Sequence, residues 1–200
     1  MIKSVGQKRV LYVMAADAEY GEHLKARFAP FMCGVGPIEA AINVTRALVE
    51  FKPDIIVSLG SAGSNTLAQT EVYQIASTSY RDIDASPLGF EKGLTPFLDL
   101  PKDLPLSTFN GGPPAKRLST GGNVVSGEAY TDIDADLVDM ETFAIQRACM
   151  AFDVQLFGLR GISDGAEELK AVDDWTQYLH IIDEKLASAV DQLEAFIEAQ

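Results

Sequence analysis

Three carboxylates far apart along the chain, Glu19, Glu141 and Asp164, are the residues through which this sequence could do chemistry. Asp164 follows the apolar run 154–162, which reads as a buried strand ending in Ser163-Asp164-Gly165. Glu141 belongs to a triplet, Asp139-Met140-Glu141, that opens a helical run: Ala144, Ile145, Ala148, Cys149 and Phe152 recur at three- and four-residue steps. Glu19 lies in Ala15-Ala16-Asp17-Ala18-Glu19, directly after the apolar residues 9–14. In an open α/β sheet, ligands bind outside the carboxyl ends of strands, so acids at a strand tip and at a helix mouth can face one ligand. Each acid alone has a plainer use. Glu19, Asp139 and Glu141 favour the start of a helix, and Asp164 suits a turn. Catalysis requires that all three converge.

The other chemistry-bearing residues exclude several classes. His23 and His180 are the only histidines and each stands alone, which argues against a Ser-His-Asp triad or a histidine metal site. Cys33 and Cys149 lie in apolar surroundings without metal spacing and read as reduced core residues of a cytoplasmic protein. A net charge of −13 disfavours binding to nucleic acid or to an anionic membrane surface. There is no apolar run of membrane-spanning length, and the start of the sequence has too short an apolar run for a signal peptide. No cofactor is implied. Gly34-Val35-Gly36-Pro37 lacks the third glycine of a dinucleotide fingerprint. Acid–base work is left to carboxylates.

The elements that must position them read as one α/β domain over residues 1–200, because apolar strands alternate with helical periods. Residues 9–14 form a buried strand, and Asp17 is a candidate N-cap for a short helix whose inner face is Leu24 and Phe28. Residues 31–33 are strand-like. Pro37 suits the first position of a helix running to about Phe51, with Ile38, Ala41, Ile42, Thr45, Leu48 and Val49 as its apolar face. A buried strand, 55–59, breaks into the turn Gly60-Ser61-Ala62-Gly63-Ser64, whose small residues let a ligand approach the backbone. Residues 72–80 form a strand, 94–122 a long loop, and 123–125 a further strand. Asp174, with Gln177, caps a long amphipathic helix whose inner face is Leu179, Ile182, Leu186, Val190, Leu193 and Ile197.

Taken together, AADAE (15–19), GVG (34–36), KPDIIVSLGSAG (52–63), YRDIDASPLGFEKG (80–93), VVSGEAY (124–130), VDMETFAI (138–145) and LRGISDGA (159–166) resemble the purine nucleoside phosphorylase/nucleosidase superfamily. Within it they are most similar to the 5′-methylthioadenosine/S-adenosylhomocysteine nucleosidases. The resemblance implies a three-layer α/β/α fold with a central twisted mixed sheet. It implies hydrolysis of the N-glycosidic bond of a thioadenosine, a step of methionine salvage, and a homodimer whose second subunit completes the pocket. Asp164 then resembles the acid that protonates the purine at N7, oriented by Ser163. Glu19 resembles the base for water, and Glu141 the ligand of the ribose hydroxyls. Met140 would pack under the sugar and Ser61 near the water. Tyr130 would stack on the base, with backbone groups near Val125 reading its edge. Leu88, Phe90 and Trp175 would form the apolar 5′-thio pocket.

Phosphorylases of this superfamily carry an Arg just before the Gly-Ser segment to hold phosphate, and here that position is Ser58. The resemblance therefore favours water as nucleophile. A phosphate-dependent phosphorylase and a non-catalytic nucleoside-binding protein on the same fold remain the alternatives. The segments near residues 28–31, 94–122 and 130–138 are shorter than in the family's pattern, which bears on the 5′ specificity and the dimer.

Overall fold

A computed structural model describes residues 1–165 and 168–200, so Ala166, the last residue of the LRGISDGA motif, lies outside the description. The sheet is mixed and has nine strands: β1 (Ile2–Val5), β2 (Lys8–Met14), β3 (Phe31–Met32), β4 (Ile55–Gly63), β5 (Val72–Tyr80), β6 (Leu104–Pro105), β7 (Ala115–Thr120), β8 (Leu137–Asp139) and β9 (Gln155–Asp164). Helices α1 (Glu22–Lys25), α2 (Pro37–Phe51), α3 (Thr142–Ala151), α4 (Val172–Thr176) and α5 (Leu179–Glu198) lie on its two sides. Among the described residues no helix is long and apolar enough to cross a membrane.

The strands with continuous apolar runs are covered on both faces. Val10 and Tyr12 of β2 pack into a core with Leu186, Val190 and Leu193 of α5. Leu11 and Val13, pointing the opposite way, pack with Ala40, Val44 and Leu48 of α2 and Ala144 and Ile145 of α3. This is a three-layer α/β/α arrangement with one core on each side of the sheet. The expected face of α5 is buried at all six positions.

β4 is the hub. It runs parallel to β2 on one side and to β9 on the other. β9 continues antiparallel into β5, β5 parallel into β7, and β7 parallel into β8. β8 returns to β4 through one antiparallel pair, Gly63 with Val138. The circuit β4–β9–β5–β7–β8 is therefore closed. The carboxyl ends of β4, β8 and β9 gather at its crossing point.

Several local expectations are corrected. Gly60–Gly63 is no turn but the last four residues of β4, with an irregularity in register between Ala62 and Gly63. The region 94–122 contains β6 and β7, and β7 is an interior strand. Its sequence AKRLST hides this, because only Leu118, Ser119 and Thr120 are buried. Residues 123–125 form no strand, and Asp139 ends β8 rather than opening a helix. The buried face of α2 is Ala40, Val44, Ala47 and Leu48, whereas Ile38, Ile42 and Val49 are exposed. Ala40 and Ala47 alternate there with Val44 and Leu48, and the two alanines let the helix approach closely. Asp174 lies inside α4 and accepts the N–H groups of Lys170 and Ala171, and α5 starts separately at Leu179.

Asp17 does not cap α1, whose N-cap is Gly21. The carboxylate that serves this segment comes from α5. Buried Asp183 accepts the N–H groups of Gly21 (3.1 Å), His23 (2.8 Å) and Leu24 (3.2 Å). A Cβ on residue 21 would lie 2.5 Å from that carboxylate, so only glycine fits. Replacing Asp183 by Ala orphans three N–H groups near a helix start and is expected to cost about 3 kcal/mol of unfolding free energy. Urea denaturation measures this, and Asp183→Asn should lose less.

Candidate active site

A cavity of about 520 Å³ opens where these strand ends meet. Glu19, Ser61, Val125, Met140, Glu141, Ser163, Asp164 and Trp175 all line it. Its wall also includes Val35, Val124 and Val172, each more than half exposed, so the mouth is apolar. Tyr130, Leu88 and Phe90 do not line it. Tyr130 is buried against Val125 and Val138 instead of presenting its ring to the cavity. Leu88 is 76% exposed on a single 3-10 turn, and Phe90 packs edge-on to Phe97.

Glu19 sits in a 3-10 turn, residues 17–19, just after β2. Its Oε1 accepts two hydrogen bonds from Ser61 of β4, from the backbone N–H and from Oγ, both at 2.7 Å. Its Oε2 is buried without a partner among the described residues. The carboxylate lies flat against Gly60, where a Cβ would stand 3.0 Å from Oε1. The small residues of β4 thus make room for the acids as well as for a ligand. Gly63 does the same for the other pair. A Cβ there would lie 2.3 Å from the Tyr130 hydroxyl and 2.9 Å from Asp164 Oδ2.

Asp164 ends β9, and its Oδ1 accepts the hydroxyl of Ser163 at 2.6 Å. Glu141 is the N-cap residue of α3, and its Oε1 accepts the N–H of Gly36 at 2.8 Å. Gly36 has φ +94°, a backbone conformation that side chains resist, so the Gly-Val-Gly segment serves to aim an N–H at this carboxylate.

Burial governs the electrostatics. It raises the proton affinity of Glu19, of Asp164 and of Glu141 above the ordinary carboxylate range. For Asp164 the Ser163 hydroxyl opposes the shift. For Glu19 the two bonds from Ser61 and the charge of Arg160 oppose it. Glu141 is pushed up to about 7, first by burial and then by the neighbouring charge of Asp139. The arrangement can hold a proton on one carboxyl while another accepts one, which is what splitting an acid-labile bond needs.

Two arginines escaped the sequence reading. Arg160 of β9 is buried and pairs with Asp139 at 3.1 Å, also donating to Ser58 Oγ (3.0 Å) and Thr142 Oγ1 (2.7 Å). Arg81 lines the cavity, with its guanidinium donating to the carbonyls of Ser119, Asp139 and Asn123. A cation inside an apolar strand such as Leu159-Arg160-Gly161-Ile162 was the available signal, because buried charge requires a partner.

The family model of the phosphorylase superfamily matches residues 107–198. A 5′-methylthioadenosine/S-adenosylhomocysteine nucleosidase of Haemophilus influenzae is 34% identical over 152 residues, 67% of this chain and 66% of the relative. One of Staphylococcus aureus is 29% identical over 155 residues, 66% of this chain and 65% of the relative. The alignment thus spans just under two thirds of these relatives' length. Among solved structures, a futalosine hydrolase mutant of Helicobacter pylori superposes with a TM-score of 0.79 at 16% identity, covering 92% of this chain and 97% of that one. A methylthioadenosine/S-adenosylhomocysteine nucleosidase of Neisseria meningitidis, in complex with methylthio-immucillin-A, gives 0.76 at 21% identity, covering 96% and 99%. These likenesses establish the nucleoside phosphorylase fold.

The raised proton affinity of Glu141 sets a pH dependence of stability. Below the ordinary glutamate value of 4.5 the folded and unfolded chains are both protonated there, and the burial costs little. As the pH rises through about 7, the unfolded chain has released a proton that the folded chain still holds, so stability is lost across that window. Glu141→Gln removes the titration. It is expected to melt higher than the parent at pH 8 and to lose that advantage near pH 4.5, read by thermal denaturation at the two pH values.

Proposed function

We propose that this chain is a nucleosidase of the phosphorylase superfamily, whose family model matches residues 107–198. It hydrolyses the N-glycosidic bond of 5′-methylthioadenosine, and of S-adenosylhomocysteine, to adenine and the thioribose. The observation that carries this reading is the meeting of Glu19, Glu141 and Asp164 on one cavity, with one buried oxygen of Glu19 left unpartnered.

The chemistry follows from the separate environments. Asp164, made a weak acid by burial, donates its proton to purine N7 as the C1′–N9 bond breaks and its electrons pass to the ring. The ribose is left oxocarbenium-like. Glu19 is tethered through Oε1, so Oε2 holds the water and takes its proton as the oxygen joins C1′. Solvent then returns the proton from Glu19 to Asp164. Glu141 accepts the ribose hydroxyls with the capacity that Gly36 leaves free. Met140 supports the sugar, and Val125 borders the base.

Water is favoured over phosphate because Ser58 is buried and its hydroxyl accepts from Arg160, behind the site. Arg160 in turn is committed to Asp139.

The exposed apolar side chains Ile38, Ile42 and Val49 of α2 support a homodimer. In that assembly Leu88 and Phe90 would reach the partner's apolar mouth, which accounts for their absence from the cavity of their own chain. Two buried, free cysteines suit a cytoplasmic protein, and the thioadenosine substrate places the reaction in methionine salvage.

Release of adenine from 5′-methylthioadenosine, assayed with and without phosphate, tests the reaction. Equal rates are expected, and an absolute need for phosphate would overturn hydrolysis. Asp164→Asn is expected to reduce kcat by about a thousandfold while the protein melts normally. A rate close to the parent's would refute the assigned acid.

A further inference from the structure

Trp175 was expected to be one apolar wall of the pocket, a task that Phe or Leu could fill. The structure gives its indole a polar partner as well. Its Nε1–H donates to Ser61 Oγ at 2.9 Å. An indole N–H is a donor only, so Ser61 Oγ must accept there, and its single hydrogen is then directed elsewhere. It goes to Glu19 Oε1 at 2.7 Å.

We propose that Trp175 is a positioning residue acting through Ser61. Its indole N–H turns the serine hydroxyl onto Glu19 Oε1, which reserves Oε2 as the oxygen that meets water. This rests on the nucleosidase reading for the identity of the base, and on geometry for the relay itself.

The relay joins parts of the chain that are otherwise separate. Trp175 is on α4, Ser61 is in β4 and Glu19 follows β2. The start of α4 is fixed by the Asp174 carboxylate, which accepts the N–H groups of Lys170 (2.7 Å) and Ala171 (2.9 Å), so the indole is presented from an anchored turn. At the other end, Oε1 carries both bonds from Ser61 and Oε2 carries none. Without the indole, the serine hydroxyl is free to rotate away, and the Ser61 N–H at 2.7 Å is left as the one bond that distinguishes Oε1 from Oε2. The charged groups acting on Glu19 are Asp139 from β8, Arg160 from β9 and Glu141 at the start of α3. Cys33, after β3, is the further titratable neighbour.

Trp175 is the only tryptophan in the chain, so its fluorescence reports this contact without turnover. The emission of the parent is expected to change with pH as Glu19 ionises, and the transition should vanish in Glu19→Gln. An emission independent of pH, or the same transition in Glu19→Gln, overturns the relay. Kinetically, Trp175→Phe keeps the apolar wall and removes the donor. It is expected to lower kcat about tenfold, about 1.4 kcal/mol, with KM within about threefold. The acidic limb of the pH–rate profile should move upward, because a weaker bond from Ser61 leaves Glu19 protonated to higher pH. A raised KM at unchanged kcat would reduce Trp175 to a wall and refute the proposal. A parent that releases no purine defeats the nucleosidase reading alone, and the fluorescence titration still decides the relay.

Discussion

Arg160 is the group on which the rest of this site depends. It places one positive charge beside three buried carboxylates, Glu19, Asp139 and Glu141. Its ion pair with Asp139 is held from both sides: Thr120 Oγ1 (2.6 Å) and the Thr142 N–H (3.1 Å) donate to the carboxylate, and Ser58 and Thr142 accept from the guanidinium. A buried pair of this kind seldom adds stability over an apolar substitute, but a lone charge left behind is strongly unfavourable. The charge of Arg160 favours the ionised forms of Glu19 and Glu141, while that of Asp139 opposes them and prevails over Arg160 at Glu141.

The closed circuit of strands explains why such acids can be brought together. β8 touches β4 through a single pair, so the two chain ends there cross rather than run alongside. The crossing delivers Asp139, Met140 and Glu141 from one strand and Ser61 and Gly63 from another to the same few ångströms. Side chains at Gly60 or Gly63 would collide with Glu19, or with Tyr130 and Asp164. Dense packing of backbone and acids replaces the water that would solvate these carboxylates elsewhere. That exclusion raises all three proton affinities, and the hydrogen bonds of Ser61, Ser163 and Gly36 then modulate them one by one. The site is consequently arranged at the expense of stability above neutral pH, as functional sites often are.

The same economy appears on the outside. α2 gives Ala40, Val44, Ala47 and Leu48 to the sheet and leaves Ile38, Ile42 and Val49 facing outward. The apolar cavity mouth, with Val35, Val124 and Val172, has the same character. A helix that leaves two isoleucines and a valine on its outer face is organised for a surface beyond its own chain.

The sequence alone settled the architecture wherever one local rule dominated. Continuous apolar runs marked β2, β4 and β9, and a sustained helical period marked the buried face of α5 at every position, because burial on two faces or on one stripe leaves a direct imprint on residue order. It also placed Glu19, Glu141 and Asp164 at the ends of elements, which is as far as spacing reaches. Tertiary structure decided the remainder. β7 was hidden because its neighbours, not its composition, bury it. Asp183 replaced Asp17 as the acceptor for the segment after Glu19, from more than a hundred and fifty residues away. The face of α2 was shifted, keeping Leu48 but burying Ala40, Val44 and Ala47 in place of Ile38, Ile42 and Val49, because the position of the sheet selects which stripe is covered. Arg160 and the Trp175–Ser61–Glu19 contact were invisible for the same reason: a hydrogen bond between distant residues depends on where strands cross, and no periodicity along the chain records a crossing.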